Sequence, residues 1–292
     1  MRITEGMRYQ GFLEDVGRAQ DRMMKAQQQV SSGKKIAKPS DNPEAASDIL
    51  RLNSDKSESE QYLKDLTFAK SKLQLTDGVL ETVEQVVERA RTLGLSSLSN
   101  PSAAKAYVTE VTSLRDQLIT TSNTTYAGRY IFGGSVTTTA PYVKNPNSTV
   151  TYNGDGNDMP LEIGRSLVVQ TQIPGSDLFT GSVDIFDTLS DLATAMQAGD
   201  KAGMDAQVQK IEQFTDVLSV ARSKVGGYLN MTTNVENDLA SAKLARATVL
   251  SQEEAADLAA AISELSMSQN ALQATLAVGA RLSQLSIWDY LK

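Results

Sequence analysis

Near the start of the chain, apolar or small residues recur at Tyr9, Phe12, Val16, Ala19, Met23, Ala26 and Val30. The steps alternate three and four residues, which keeps one narrow stripe on one face of an α-helix, as in a coiled-coil seam. A second stripe with the same alternation, Leu258, Ile262, Leu265, Gln269, Leu272, Leu276 and Gly279, lies near the other end. A stripe serving an internal core is ordinarily wider than this. Two narrow seams at opposite ends of one chain suit an antiparallel helix pair. Such a pair leaves most of its surface uncovered, so its faces call for further partners.

The stretch QQVSSGKKIAKPSDNPEAASDIL, residues 28–50, interrupts the first helix. Ser31, Ser32 and Gly33 stop it, with Gly33 read as a left-handed C-cap. Pro39 keeps residue 38 out of helical geometry. Asp41 or Asn42 is the N-cap of a new helix that has Pro43 near its first position. Gly33, Pro39, Asp41 and Pro43 are thus the candidate hinge. The next seam runs Tyr62, Leu66, Ala69, Leu73, Thr76, Leu80, Val83, Val87, Ala90 and Gly94, and no proline falls between Pro43 and Pro101. One long helix is expected, with a possible break near Asp55–Ser59. A third helix is expected over about 102–127, with Tyr107, Val111, Leu114, Leu118 and Ile119 inward.

Residues 126–179 change character, gathering Gly, Pro and aromatic residues. TVTY, PLEI and SLVVQTQI read as short strands, the last with Leu167, Val169, Thr171 and Ile173 on one face. NGDGND reads as the hairpin loop between the first two. Helix resumes near Asp184 and, apart from turns near Gly199 and Gly226–Gly227, continues to the end. Tyr228, Thr232, Val235, Leu239, Ala242 and Val249 form a seam on it. The expected fold is therefore mainly α: long antiparallel coiled-coil or bundle helices formed by both chain ends, with a small β-rich insert. The expected domains are terminal helices at 1–40 and 255–292, a long-helix bundle at 41–130 and 184–254, and the insert at 131–183.

Chemistry narrows the function. The chain has no cysteine and no histidine, which removes disulfides, thiolate nucleophiles, the commonest neutral-pH base and the commonest transition-metal ligand. Net charge is −7, with acids and bases mixed and no basic stripe for nucleic acid. No stretch approaches a membrane span, and the first residues lack the apolar core of a secretory signal. Asn153, Asp155 and Asn157 begin like an EF-hand loop. However, Asp158 stands where glycine is needed, and Gly164 where a bidentate glutamate is needed. Gly154-x-Gly156 lacks the third glycine of a nucleotide fingerprint. Asp155, Asp158 and Glu162 could be drawn as glycosidase carboxylates, but no framework converges other acids on them. Met23, Met24, Met196, Met204, Met231 and Met267 read as core filler. No catalytic residue, cofactor or metal site is expected.

The start MRIT, the joint QQQVSSGKKIAKPSDNPEAA, the segment YIFGG and the closing LSQLSIWDYL stand in this order along the chain. Together they resemble the bacterial flagellin superfamily, over about the first 135 and last 110 residues. Flagellin typically continues its own joint with DDAAG. The continuation KPSDNPEAASDIL looks like that of the branch that joins hook to filament. Departures are small: Lys35-Ile36 where Arg-Ile is common, and Pro141-Tyr142 where Pro-Phe is common.

The resemblance implies an axial structural protein, exported unfolded through the flagellum's own channel without a cleaved signal and assembled outside the cell. It implies a ring of copies with the first hook-associated protein below and flagellin above, and an export chaperone on the C-terminal helix beforehand. The assembly interface it implies comprises Tyr9, Phe12, Val16, Met23, Val30, Leu258, Ile262, Leu265, Leu272, Leu276, Leu285 and Trp288. Flagellin itself, a cytoplasmic coiled-coil scaffold and a polysaccharide hydrolase remain as alternatives.

Overall fold

A computed structural model describes residues 5–290 except Ala37; for Glu5, Gly6, Arg8, Pro101 and residues 282–290 it describes the backbone only. The elements in chain order are α1 (Glu5–Ser32), α2 (Pro43–Ser99), α3 (Pro101–Ser122), β1 (Thr125–Tyr126), β2 (Arg129–Tyr130), β3 (Tyr142–Lys144), β4 (Val150–Tyr152), β5 (Pro160–Gly164), β6 (Leu167–Gln170), α4 (Gly175–Phe179), α5 (Ile185–Ala198), α6 (Lys201–Glu254) and α7 (Leu258–Tyr290). The fold is mainly α with a small β portion, as the periodicity requires. It divides into two compact units, one of residues 1–58 with 241–292 and the other of residues 59–240.

The unit of residues 59–240 holds a wide core. Leu66, Ala69, Leu73, Thr76, Leu80, Val83, Val87 and Ala90 are all buried, as the seam predicted, and Val79, Val86 and Leu93 widen the buried face. Facing residues come from α6, including Met204, Val208, Ile211, Phe214, Leu218, Ala221 and Val225. Antiparallel register between α2 and α6 is marked by Lys70–Glu236 at 2.8 Å, Arg222–Glu84 at 2.5 Å and Arg91–Glu212 at 2.8 Å. These pairs are partly exposed, so they select register more than they supply stability.

The insert is three antiparallel hairpins, β1–β2, β3–β4 and β5–β6. None has a sheet large enough to stand alone. An aromatic knot supplies what they lack: Phe132, Tyr142, Phe179 and Phe186 pack with centroids 5.0–5.9 Å apart, and Phe179 reaches Phe214 of α6 at 6.3 Å. Arg115 of α3 is buried and donates from Nε to Phe186 O at 2.9 Å and from its guanidinium to Ser148 O. A buried cation is tolerated here because two carbonyl oxygens accept from it and the Asp184 carboxylate acts on it electrostatically.

Several local expectations are corrected. NGDGND does not close a hairpin; it links β4, which pairs with β3, to β5, which pairs with β6. The third helix ends at Ser122 rather than near 127, and the chain turns into β1 directly after. Gly226–Gly227 makes no turn, because helical packing on both sides carries α6 through it. Likewise α2 is unbroken across Asp55–Ser59. Strand β6 stops at Gln170, although Val169 and Thr171 are buried on one face as expected. The helix start near Asp184 and the turn near Gly199 fall where expected: Asp184 Oδ1 accepts from Asp187 N, and Gly199 ends α5 at φ +70°.

Candidate assembly surface and joint

The site to build is the pair of chain ends, α1 and α7. They run antiparallel: Phe12, early in α1, packs at Gly279, late in α7, and Lys34 bridges Ala255. Along α1, among the described side chains, the covered apolar ones are Phe12, Val16, Ala19, Met23, Ala26 and Val30. That is the predicted seam without Tyr9, which is exposed.

The seam of α7 differs from expectation. The covered positions are Ala261, Leu265, Ser268, Leu272, Thr275 and Gly279. Leu265, Leu272 and Gly279 are shared with the predicted stripe, whereas Leu258, Ile262, Gln269 and Leu276 lie exposed on its flank. The physical reason is distance. Small residues admit close approach, and a Cβ at Gly279 would fall inside the Phe12 ring. The register set by the two anchors puts Ala19 level with Leu272, Met23 with Ser268 and Ala26 with Leu265, a large residue against a small one each time. The covered set keeps the 4–3 spacing, but Ala261, Ser268 and Thr275 carry less hydrophobic signal than their exposed neighbours Ile262 and Leu276.

Burying small residues leaves large ones outside. Leu13, Met24, Ile262, Met267, Leu276 and Val278 are each about half exposed, with Ile262 at 54%. Met24 and Met267 are therefore surface residues rather than core filler. The side chains of Leu285 and Trp288 lie outside the described set.

The joint is built residue by residue. Gly33 ends α1 at φ +67°, a conformation that favours glycine, and its N–H donates to Gln29 O at 2.9 Å. Ser32 Oγ donates to Gln28 O at 2.7 Å and accepts from Lys34 N at 3.2 Å. Lys38–Asp41 form a turn with Pro39 at its second position, closed by Asp41 N donating to Lys38 O at 2.9 Å. Asp41 also accepts from Lys38 N at 3.1 Å and pairs with Lys25 at 3.1 Å. Asn42 caps α2 through Oδ1, accepting from Ala45 N at 3.2 Å, and Pro43 is the first helical residue.

A second joint faces the first, and the sequence reading missed it. Between α6 and α7, Ala255–Asp257 leave helical geometry, and Asp257 Oδ1 caps α7 by accepting from Ala259 N at 2.9 Å and Ala260 N at 3.1 Å. Lys35 N donates to Glu254 O at 2.6 Å, and Ala256 N donates to Gly33 O at 2.9 Å. Lys34 Nζ pairs with Glu254 Oε2 at 2.9 Å. An aspartate followed by LAAAI is an N-cap signal, and it was the one available. Beside the clasp lies a groove of about 400 Å³ where Lys34, Lys56, Lys243 and Arg246 surround Leu52 and Leu250.

Elsewhere the carboxylates of the insert serve structure. Asp155 accepts from Ser135 N at 2.7 Å, from the Ser135 hydroxyl and from Asn157 Nδ2 at 2.8 Å. Those hydrogen bonds hold its carboxyl down to about 2. Asp158 accepts from Gln170 at 2.7 Å. Among the described residues no group of three acids forms a metal site, and no helix is long and apolar enough to cross a membrane.

Comparison with known proteins agrees with the resemblance of the N-terminal part of the chain to the flagellin superfamily. Residues 3–137 match the family described as bacterial flagellin N-terminal helical region. Flagellar hook-associated protein 3 of Escherichia coli strain K12 is 27% identical over the whole of both chains. The protein of the same name from Salmonella typhimurium is 28% identical over 84% of this chain and 72% of its own. Among solved structures, a putative flagellar hook-associated protein from Vibrio parahaemolyticus superposes with TM-score 0.68 at 19% identity. That superposition covers 74% of this chain and all of the other.

Proposed function

We propose that this chain, which carries a flagellin-type helical region at residues 3–137, is a structural axial subunit at the junction between hook and filament of the bacterial flagellum. One observation carries the reading. The pair of chain ends spends its small residues on the internal seam and presents Leu13, Ile262, Met267 and Leu276 outward. That is how half of an interface looks before its neighbours arrive. A relative named as a hook-associated protein along the full chain supports placing that interface in the flagellum.

In this reading copies of the chain form a ring, contacting the first hook-associated protein on one side and flagellin on the other. Before export a chaperone covers α7. The chain passes unfolded through the flagellum's own channel to the cell exterior, a route that suits a sequence without cysteine. The residues singled out at the chain ends form the interface, and the paired joints at Gly33–Pro43 and Ala255–Asp257 set the angle of the end helices. The role is mechanical rather than catalytic, because Asp155 and Asp158 are engaged by insert side chains. Immunogold labelling of intact flagella tests this: the label is expected at the distal end of the hook. Label along the whole filament would mark a flagellin instead, and label confined to the cytoplasm would overturn the axial role.

A further inference from the structure

Within the unit of residues 59–240, α2, the β1–β2 hairpin, Met159 and the start of β5 line a partly open pocket of about 370 Å³. Phe68 and Tyr126 meet edge-on at its wall with centroids 5.4 Å apart, and Tyr130 completes the aromatic lining. Lys72 lines the same pocket and is only 9% exposed. Its hydrogen bond is a single long one, 3.5 Å to the hydroxyl of Thr171. The charged neighbour acting on it is another cation, Arg129, at the exposed edge of the pocket.

We propose that this pocket binds a small organic carboxylate with a flat apolar body, the carboxylate meeting Lys72 and Arg129 and the body lying against Phe68 and Tyr126. A buried ammonium without a counter-ion is costly unless something anionic arrives to pair with it. Burial and then Arg129 hold the Lys72 amine down to about 8, a strain that a bound anion relieves. The guanidinium of Arg129 offers a planar fork suited to a carboxylate. Aromatic walls favour an organic anion over a bare inorganic one. The volume lies at the small end of ligand pockets, so the ligand is of about single-ring size. The site is independent of the flagellar reading.

The test titrates the purified full-length chain with sodium benzoate, with neutral benzyl alcohol and with inorganic phosphate, following amide chemical shifts. Benzoate is expected to shift residues around Lys72 with a Kd near ~1 mM, and the other two probes to bind at least ~10-fold more weakly. Lys72→Met should fold normally by melting and lose about 10-fold in benzoate affinity. If that variant fails to fold, Arg129→Gln at the exposed edge serves in its place, with an expected loss of about 3-fold. Equal affinity for benzyl alcohol, equal affinity for phosphate, unchanged benzoate binding in the folded variant, or no shift by about 20 mM benzoate would each overturn the proposal.

Discussion

The two compact units of this chain use similar helical periodicities for opposite ends. In the unit of residues 59–240 the buried set includes Phe132, Tyr142, Phe179, Phe186, Phe214 and a long row of Leu, Ile and Val. Among the described residues of the chain-end unit the buried side chains are Ala19, Ala26, Ala46, Ala261 and Ser268. Fully burying a large apolar side chain is worth roughly 1.5–3 kcal/mol, and an alanine only a fraction of that. The first unit therefore carries a core of its own. The second carries a thin seam, a clasp of backbone hydrogen bonds at its joints, and apolar flanks. A helix pair of that kind is marginal in water and gains most of its stability when its flanks are covered.

The contrast can be attacked at its strong side first. Phe214→Ala removes the α6 contact of the aromatic knot, and a cost of about 3–5 kcal/mol is expected. Denaturant unfolding should show it as a large fall in the midpoint of the main transition. Gly279→Val places methyl groups where the Phe12 ring lies, an overpacking worth about 1–3 kcal/mol. Its effect should be local: faster amide exchange in α1 and α7, with residues 66–93 unchanged. A lowered main transition in this variant would show that the chain-end seam belongs to the same core.

Asp155 gives a smaller, pH-dependent effect. Its folded-state pKa lies below the ordinary carboxylate value, held there by Ser135 and then Asn157. The stability it contributes is therefore present above about pH 4 and lost as pH falls from there through about 2. Melting curves of Asp155→Asn across that window should lack this component of the wild-type decline. Smallest of all for the monomer is Leu276→Asp, because Leu276 is already half exposed. The melting temperature should not move, yet the variant should be exported and not retained on the hook. Normal retention would remove the α7 flank from the interface.

The sequence disclosed the wide seam of α2 almost residue for residue, because large apolar side chains at 4–3 spacing are both the signal and the core. It disclosed the Gly33 stop and the Asn42–Pro43 start because caps are local chemistry. The α7 seam was misread by the same rule that succeeded in α2. There the closest packing is made by Ala261, Ser268 and Gly279, residues a hydrophobicity pattern passes over. The joint at Ala255–Asp257 was hidden because no glycine or proline marks it; its partner is the backbone of Gly33 and Lys35, thirty-odd positions from the other end of the chain. Strands β1 and β2, of two residues each, were too short for alternation to show.

Amide hydrogen exchange, read on the free monomer and on the chain bound at isolated hooks, tests the central claim most directly. Residues 5–32 and 258–281 should exchange rapidly in the monomer and become protected by at least about 100-fold on assembly, equivalent to about 2.7 kcal/mol. Residues 66–93 should be protected equally in both. Strong protection of both end helices in the dilute monomer would contradict the claim, because the chain ends would then be a finished fold rather than half of an interface.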